Sequence, residues 1–228
     1  TWKLIKNEEN LGNCLSRNKG VQAATGDVVI IVDVDCLLSE NFLKAHAELH
    51  GTGLVDGVIG PMNLETQEKD PWTVFKFYSE NMRHAFEDMN IQDRTCLNSF
   101  LNCVTRNFSV RRDFAPTPLF DEDFSYSKRK DSGFGWEDTE MGYRLYKKNA
   151  RIQFTHKCFS LHMTHSSSMA EAEKPFRSLK NFNKLYLKHP DFFLEARKWS
   201  QDTYQKIESW ANIYSKNKTE EMIHLTHL

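Results

Sequence analysis

Two aspartates one residue apart, Asp33 and Asp35, follow directly on the apolar run 28–32 of valine and isoleucine. In a strand, residues i and i+2 point the same way. Both carboxylates would then converge at the carboxyl end of a parallel sheet, where α/β proteins bind ligands. Two hard oxygen donors there suit Mg²⁺ or Mn²⁺ bridging to a diphosphate. The same pair also reads as two solvated acids opening a turn. The unbroken Val/Ile run favours the first reading, because a strand apolar on both faces has to be central.

A second constellation is Gly133-Phe-Gly-Trp-Glu-Asp-Thr-Glu140. Its glycines permit a tight, mobile loop. Trp136 offers a flat apolar face suited to a sugar ring. Glu137 and Asp138 open a helix, whose N-terminus favours an ionised carboxylate. A general base needs that placement, ionised and beside its substrate. Asp138 also reads as a plain N-cap and Glu140 as a first-turn acid. Arg144, four residues after Glu140, reads as its structural partner.

Certain elements must position these groups. Residues 11–24 read as a helix, with Gly26 just past its end. The run 27–32 is a buried strand, and Ser39 is placed to cap a helix reaching about His50. A strand is expected at 55–59, a long helix opened by Pro71, extended chain at 101–110 and loop over 113–135. Helix resumes over 138–148, ending in cations. Strands follow at 151–154 and 158–163, then amphipathic helices at 174–188 and 191–215. Strands interleaved with helices indicate α/β.

The chain has 228 residues, enough for a real core, and its 39% hydrophobic and 27% charged content is that of an ordinary globular domain. With 30 Lys+Arg against 31 Asp+Glu, no electrostatic case exists for nucleic acid as a partner. No stretch approaches the ~20 apolar residues of a membrane span. The five cysteines are scattered and lack CxxC spacing, which points away from a zinc site or disulfide framework and toward a reducing, cytoplasmic compartment.

In order along the chain, Asn10-Leu-Gly, Arg17-Asn-Lys-Gly20, Gly26-Asp27 with its strand and Asp33-Val-Asp35, Thr105-Arg-Asn-Phe-Ser-Val-Arg-Arg112, Phe120-Asp-Glu-Asp-Phe124 and Trp136-Glu-Asp-Thr-Glu140 with Arg144-Leu145 resemble the family 2 glycosyltransferases. The resemblance covers roughly residues 7–165. It implies a GT-A fold, Rossmann-like with a mostly parallel central sheet flanked by helices. It places the first βαβ unit of that fold before Asn10, where only nine residues stand, so that unit is expected to be missing from this chain or supplied by another. Residues 1–170 would form the partial GT-A domain and 171–228 a helical extension.

The resemblance further implies a metal-dependent, inverting transfer of sugar from a nucleotide-diphosphate donor, a UDP-sugar, to a carbohydrate or other acceptor hydroxyl, with Mn²⁺ or Mg²⁺ as cofactor. It gives Asp35 the metal, places Asp33, Arg17 and Asn107 at the donor, and makes Asp138 the base with Trp136 and Glu137 at the acceptor. The 133–138 loop also looks like that of β-1,4-galactosyltransferases, polypeptide N-acetylgalactosaminyltransferases and chondroitin-type polymerases. In these a downstream histidine completes the metal site. Here His162 and His165 both match, and spacing does not choose between them. Two other readings remain open: a non-catalytic carbohydrate-binding or scaffolding domain, and a nucleotidyltransferase. The second lacks its glycine- and lysine-rich phosphate loop.

Overall fold

The computed structural model describes residues 2–61, 65–66, 94–95, 99–126, 132–163, 165, 173–192 and 194–195. The helix expected after Pro71 and most of the one expected at 191–215 lie outside them. The chain divides into two compact units, one of Thr1–Lys19, Phe120–Glu140 and Ser167–Leu228, the other of Gly20–Leu119 and Met141–Ser166. Helices α1 (Asn13–Ala23) and α3 (Glu137–Lys147) contribute residues to both.

The second unit holds the sheets. Strands β1 (Val28–Ile31), β3 (Gly57–Ile59), β5 (Arg94–Thr95), β6 (Phe108–Arg111) and β7 (Ile152–Phe154) form one sheet in the order β1-β6-β3-β7-β5. Strand β6 runs antiparallel to both β1 and β3, whereas β3 and β7 are parallel. Strands β1, β3 and β7 therefore share one direction, and β6 is inserted between two of them against it. The architecture is α/β, as expected, with a mixed sheet in place of a mostly parallel one. Strand β5 also runs antiparallel to its neighbour β7, and counting strand–helix alternations cannot reveal such reversed strands. A smaller sheet carries β2 (Cys36–Leu38), β8 (Ser160–Met163) and β4 (Glu65–Thr66) in the order β2-β8-β4.

Helix α2 (Phe42–Gly51) packs Phe42 and Ala45 against Val55, Val58 and Cys158, with Ile30, Val32 and Leu49 beside them. Removing the Phe42 ring would cost roughly 3–5 kcal/mol. Ser39 does not cap α2. Its N–H continues the β2–β8 ladder by donating to Phe159 O at 3.1 Å, which leaves Asn41 at the cap, and Phe42 N donates to the Ser39 carbonyl. Extended chain at 101–110 is found only from Phe108 onward. Before it, Val104 N bonds Asn102 O and Asn107 N bonds Val104 O, and these turns displace the strand.

In the first unit, α4 (Lys174–Lys188) occupies the span that its periodicity predicts. Leu179, Phe182 and Leu185 bury one face, as the 3.6-residue period requires. At its last turn Lys188 donates to Asp121 and, at 2.7 Å, to Asp123, a favourable end for a cation on the helix dipole. That hydrogen bond holds the Asp123 carboxyl below its ordinary range.

Candidate functional site

The Asp33-Val-Asp35 segment is a turn. Strand β1 ends at Ile31, and Cys36 N donates to Asp33 O at 3.2 Å, closing the reversal before β2. The i, i+2 argument for two carboxylates converging from one strand therefore fails, although both acids lie close enough to Cys36 to raise its thiol. Asp35 lies one residue before β2, and its carbonyl accepts from Met163 N at 2.9 Å. The β2–β8 ladder sets Cys36 opposite His162, which brings the histidine beside Asp35.

Both downstream histidines reach that carboxylate. Asp35 Oδ2 stands 3.0 Å from His165 Nε2 and 3.4 Å from His162 Nε2. One ligand atom from each residue lies within 4.8 Å of the others, a spacing that one ion can bridge. The other carboxylate oxygen, Asp35 Oδ1, is buried and has no hydrogen-bond partner among the described residues. A buried anionic oxygen without a partner is costly unless a cation or proton compensates it. The donor set of one carboxylate and two imidazoles fits a divalent transition ion better than Mg²⁺, which takes oxygen ligands. His162 is 15% exposed and His165 is 66% exposed, so the strand holds one histidine while the other stands more open to solvent.

The second group of expected site residues belongs to the other unit. Glu137 and Asp138 open α3, and Arg17 of α1 stands 3.2 Å from Glu137 Oε1 and 3.5 Å from Asp138 Oδ1. Asn13 Nδ2 also donates to Glu137 Oε1, at 2.6 Å. The Arg17 guanidinium in turn lies over the Phe120 ring, 5.4 Å from its centroid. Arg17, expected at the donor, is thus the counter-ion of the two acids. Asp138 sits inside the first turn of α3 and not at its cap, since the helix begins with Glu137. Glu140, expected to pair with Arg144, is buried and meets His189 Nε2 at 3.0 Å, while Arg144 donates to the carbonyls of Pro118 and Leu119.

Trp136 precedes α3 with φ of +69°, a left-handed conformation that costs a non-glycine residue ~1–3 kcal/mol. Its Nε1–H donates to Ser178 Oγ at 2.8 Å, and its ring packs at 5.1 Å on Phe182. The neighbouring glycines serve geometry. Gly135 has φ of +68°, and a Cβ on Gly133 would lie 1.8 Å from Asn181 Oδ1.

Asn107, also expected at the donor, has no exposed surface. Its amide donates to Cys158 O at 2.5 Å and Pro61 O at 3.2 Å, so Oδ1 is free only to accept, which it does from His46 Nε2 at 3.2 Å. Asn107 belongs to the framework. Those bonds fix the protons of a buried ladder. With Nε2–H donating, neutral His46 accepts at Nδ1 from the Ser109 hydroxyl, and Ser109 Oγ accepts from His50 Nε2–H, both at 2.8 Å. Burial pushes His46 down to about 4 and lowers His50 as well. The sequence carried one signal of this ladder, histidines at i and i+4 among the apolar positions of α2. Asn13, Ser178 and Asn181 gave no such signal and were missed.

Residues 1–115 match the sequence profile described as glycosyl transferase family 2, half of the chain. The chain belongs to glycosyl transferase family 2. The match includes Arg17, Asp33, Asp35 and Asn107, and ends before Trp136 and the two histidines. This family 2 domain is similar in structure to "Crystal structure of GalNAc-T7 with UDP, GalNAc and Mn2+", at 15% identity and TM-score 0.52, over 88% of this chain and 40% of that one. That likeness shows the GT-A-like α/β fold. The Staphylococcus aureus protein TarS, residues 1–349, aligns at 17% identity and TM-score 0.48, over 90% of this chain and 60% of that one. The chain thus spans less than two thirds of either one. No curated protein sequence matches it. Among the described residues no helix is long and apolar enough to cross a membrane.

Proposed function

We propose that this domain acts in metal-dependent, inverting transfer of a sugar from a nucleotide-diphosphate donor, a UDP-sugar, to an acceptor hydroxyl. The observation that carries the reading is the convergence of His162 and His165 on Asp35, whose second oxygen is buried without a partner. A divalent cation bound by these three residues, Mn²⁺ by the chemistry of the donor set, would neutralise the departing diphosphate as a Lewis acid. A structure of related fold was determined with UDP, GalNAc and Mn²⁺, which agrees with such a donor.

Asp138 is the base in this reading. Its carboxylate takes the proton of the acceptor hydroxyl as that oxygen bonds to the anomeric carbon. The bond from that carbon to the diphosphate breaks on the opposite face, and the diphosphate leaves with the electron pair. Arg17, 3.5 Å from Asp138, favours the ionised carboxylate before the proton arrives. Glu137 and Trp136 hold the acceptor sugar, in keeping with the likeness of the 133–138 loop to those of galactosyl- and N-acetylgalactosaminyltransferases. Asp33 approaches the donor ribose. The thiols of Cys14 and Cys36 accord with a reducing, cytoplasmic setting.

The experiment is Mn²⁺-dependent release of UDP from UDP-glucose, UDP-galactose and their N-acetylamino counterparts, by wild type and by Asp35→Asn. Release that needs both the metal and Asp35 supports the assignment. Sugar binding with no release from any donor would instead support a non-catalytic carbohydrate-binding domain.

A further inference from the structure

Helix α4 buries three polar side chains on the face where apolar ones are expected: Arg177, Ser178 and Asn181 are all at least 93% buried. Burying such groups is unfavourable unless each finds a fixed partner. Apart from Lys184 of the same helix, which donates to Asn181 Oδ1 at 3.3 Å, the partners described lie in the loop that leads into α3 or at Phe124. Arg177 donates to Ser132 O at 2.9 Å, and its own carbonyl accepts from Phe134 N at 3.0 Å. Asn181 Nδ2 donates to Gly135 O at 2.7 Å and Phe124 O at 3.1 Å. Ser178 accepts from the Trp136 indole N–H, and Phe182 supports that ring. Residues 132–136 are therefore held one after another by a single helix. The left-handed backbone of Trp136 persists because these contacts over-determine it. The glycine pair that suggested a mobile loop instead allows this close fit, since Gly133 alone leaves room for Asn181.

We propose that Ser178 and Asn181 are positioning residues that fix how Trp136 meets the acceptor sugar, an inference that rests on the acceptor role given to Trp136 above. The acceptor platform is then built in advance by α4, and the choice of acceptor is set partly by a helix that touches no substrate. Ser178 orients the indole through its one polar atom, and Asn181 locks the carbonyl that precedes it. Losing one such hydrogen bond corresponds to roughly 3- to 10-fold in affinity for a ligand that needs the orientation.

The test uses Ser178→Ala, Ser178→Thr and Asn181→Ala in the full chain, with two readouts. Amide hydrogen exchange over 133–138 reports the loop directly, and NMR titration with p-nitrophenyl glycosides of galactose, glucose and their N-acetylamino counterparts reports acceptor binding. The proposal expects faster loop exchange in both alanine variants, a roughly 3- to 10-fold rise in dissociation constant for Ser178→Ala, recovery in Ser178→Thr, and unchanged Mn²⁺ affinity. Should Asn181→Ala fail to fold, the Ser178 pair alone decides the matter. Unchanged loop exchange in Ser178→Ala overturns the positioning role itself. Faster exchange with unchanged sugar affinity, or no binding of any of these sugars by wild type, overturns the acceptor reading of Trp136 and leaves the α4 contacts standing.

Discussion

Two histidine pairs in the same unit have opposite fates. His46 and His50 have the i, i+4 helical spacing that suits a metal. Yet both are buried against β6, where Asn107 and Ser109 dictate where their protons lie. His162 and His165 sit on and just beyond a strand end, and they meet at a carboxylate with a spare buried oxygen. The first pair is spent on structure, and the second is the one proposed for a cation. Residue type is common to both and spacing nearly so, i and i+4 in one pair and i and i+3 in the other; the difference lies in the neighbours, a hydroxyl and an amide at the first pair and a carboxylate at the second. The same contrast holds between the open Asp35 cluster and the 132–136 loop, whose polar groups are engaged by α4.

Breaking this contrast begins at the proposed base. Asp138→Asn should lower transfer by ~10²–10⁴-fold, the usual contribution of a positioned base, and leave Mn²⁺ affinity at the wild-type value. Steady-state kinetics with a metal titration on the same sample measures both. Asp35→Asn should do the reverse. Replacing residues that merely orient a ligand costs 10–100-fold in metal affinity, so loss of the charged ligand should exceed about 100-fold by calorimetry. Asp33→Asn, at a residue outside the Asp35, His162 and His165 cluster, should leave metal binding near wild type.

The buried ladder should show itself through pH. His46 is neutral in the folded protein, with its proton affinity pushed down to about 4 from the ordinary 6.5, so protonation favours the unfolded chain. Stability from this site is complete above about pH 6.5 and is lost as pH falls toward about 4, by about 3 kcal/mol in all. Thermal melts across that window should give a shallower acid decline for His46→Gln than for wild type. At the smaller end, Gly133→Ala should destabilise by ~1–3 kcal/mol, because its new methyl collides with a buried amide that has no room to yield. Chemical denaturation of the variant measures that cost.

Much of this was legible in the residues. The run 28–31, the helix 174–188 and the strands near 152–154 and 160–163 follow from short-range periodicity, which local sequence carries. Asp35 and the histidine pair stood out as donors. What was not legible depends on contacts far apart in the chain. A reversed strand between β1 and β3 arises from a pairing of residues about eighty positions apart, as Val28 with Arg111 shows. Asn107 sits in a motif that suggested a donor contact, but its amide is claimed by Pro61 and Cys158. Arg17 was assigned by motif order, and only the fold reveals the two acids across from it. Ser178 and Asn181 look like ordinary polar residues on an amphipathic helix until the loop against them is seen.

Whether His162 and His165 share one cation with Asp35 is probed with Mn²⁺ itself. Electron spin-echo spectroscopy of Mn²⁺ bound to the protein should show coupling to imidazole nitrogen. The signal should weaken more in His162→Ala than in His165→Ala, because the strand-held ligand is the better ordered, and it should vanish with the metal in Asp35→Asn. Bound Mn²⁺ without nitrogen coupling, or with coupling unchanged when Asp35 is replaced, would contradict the assignment.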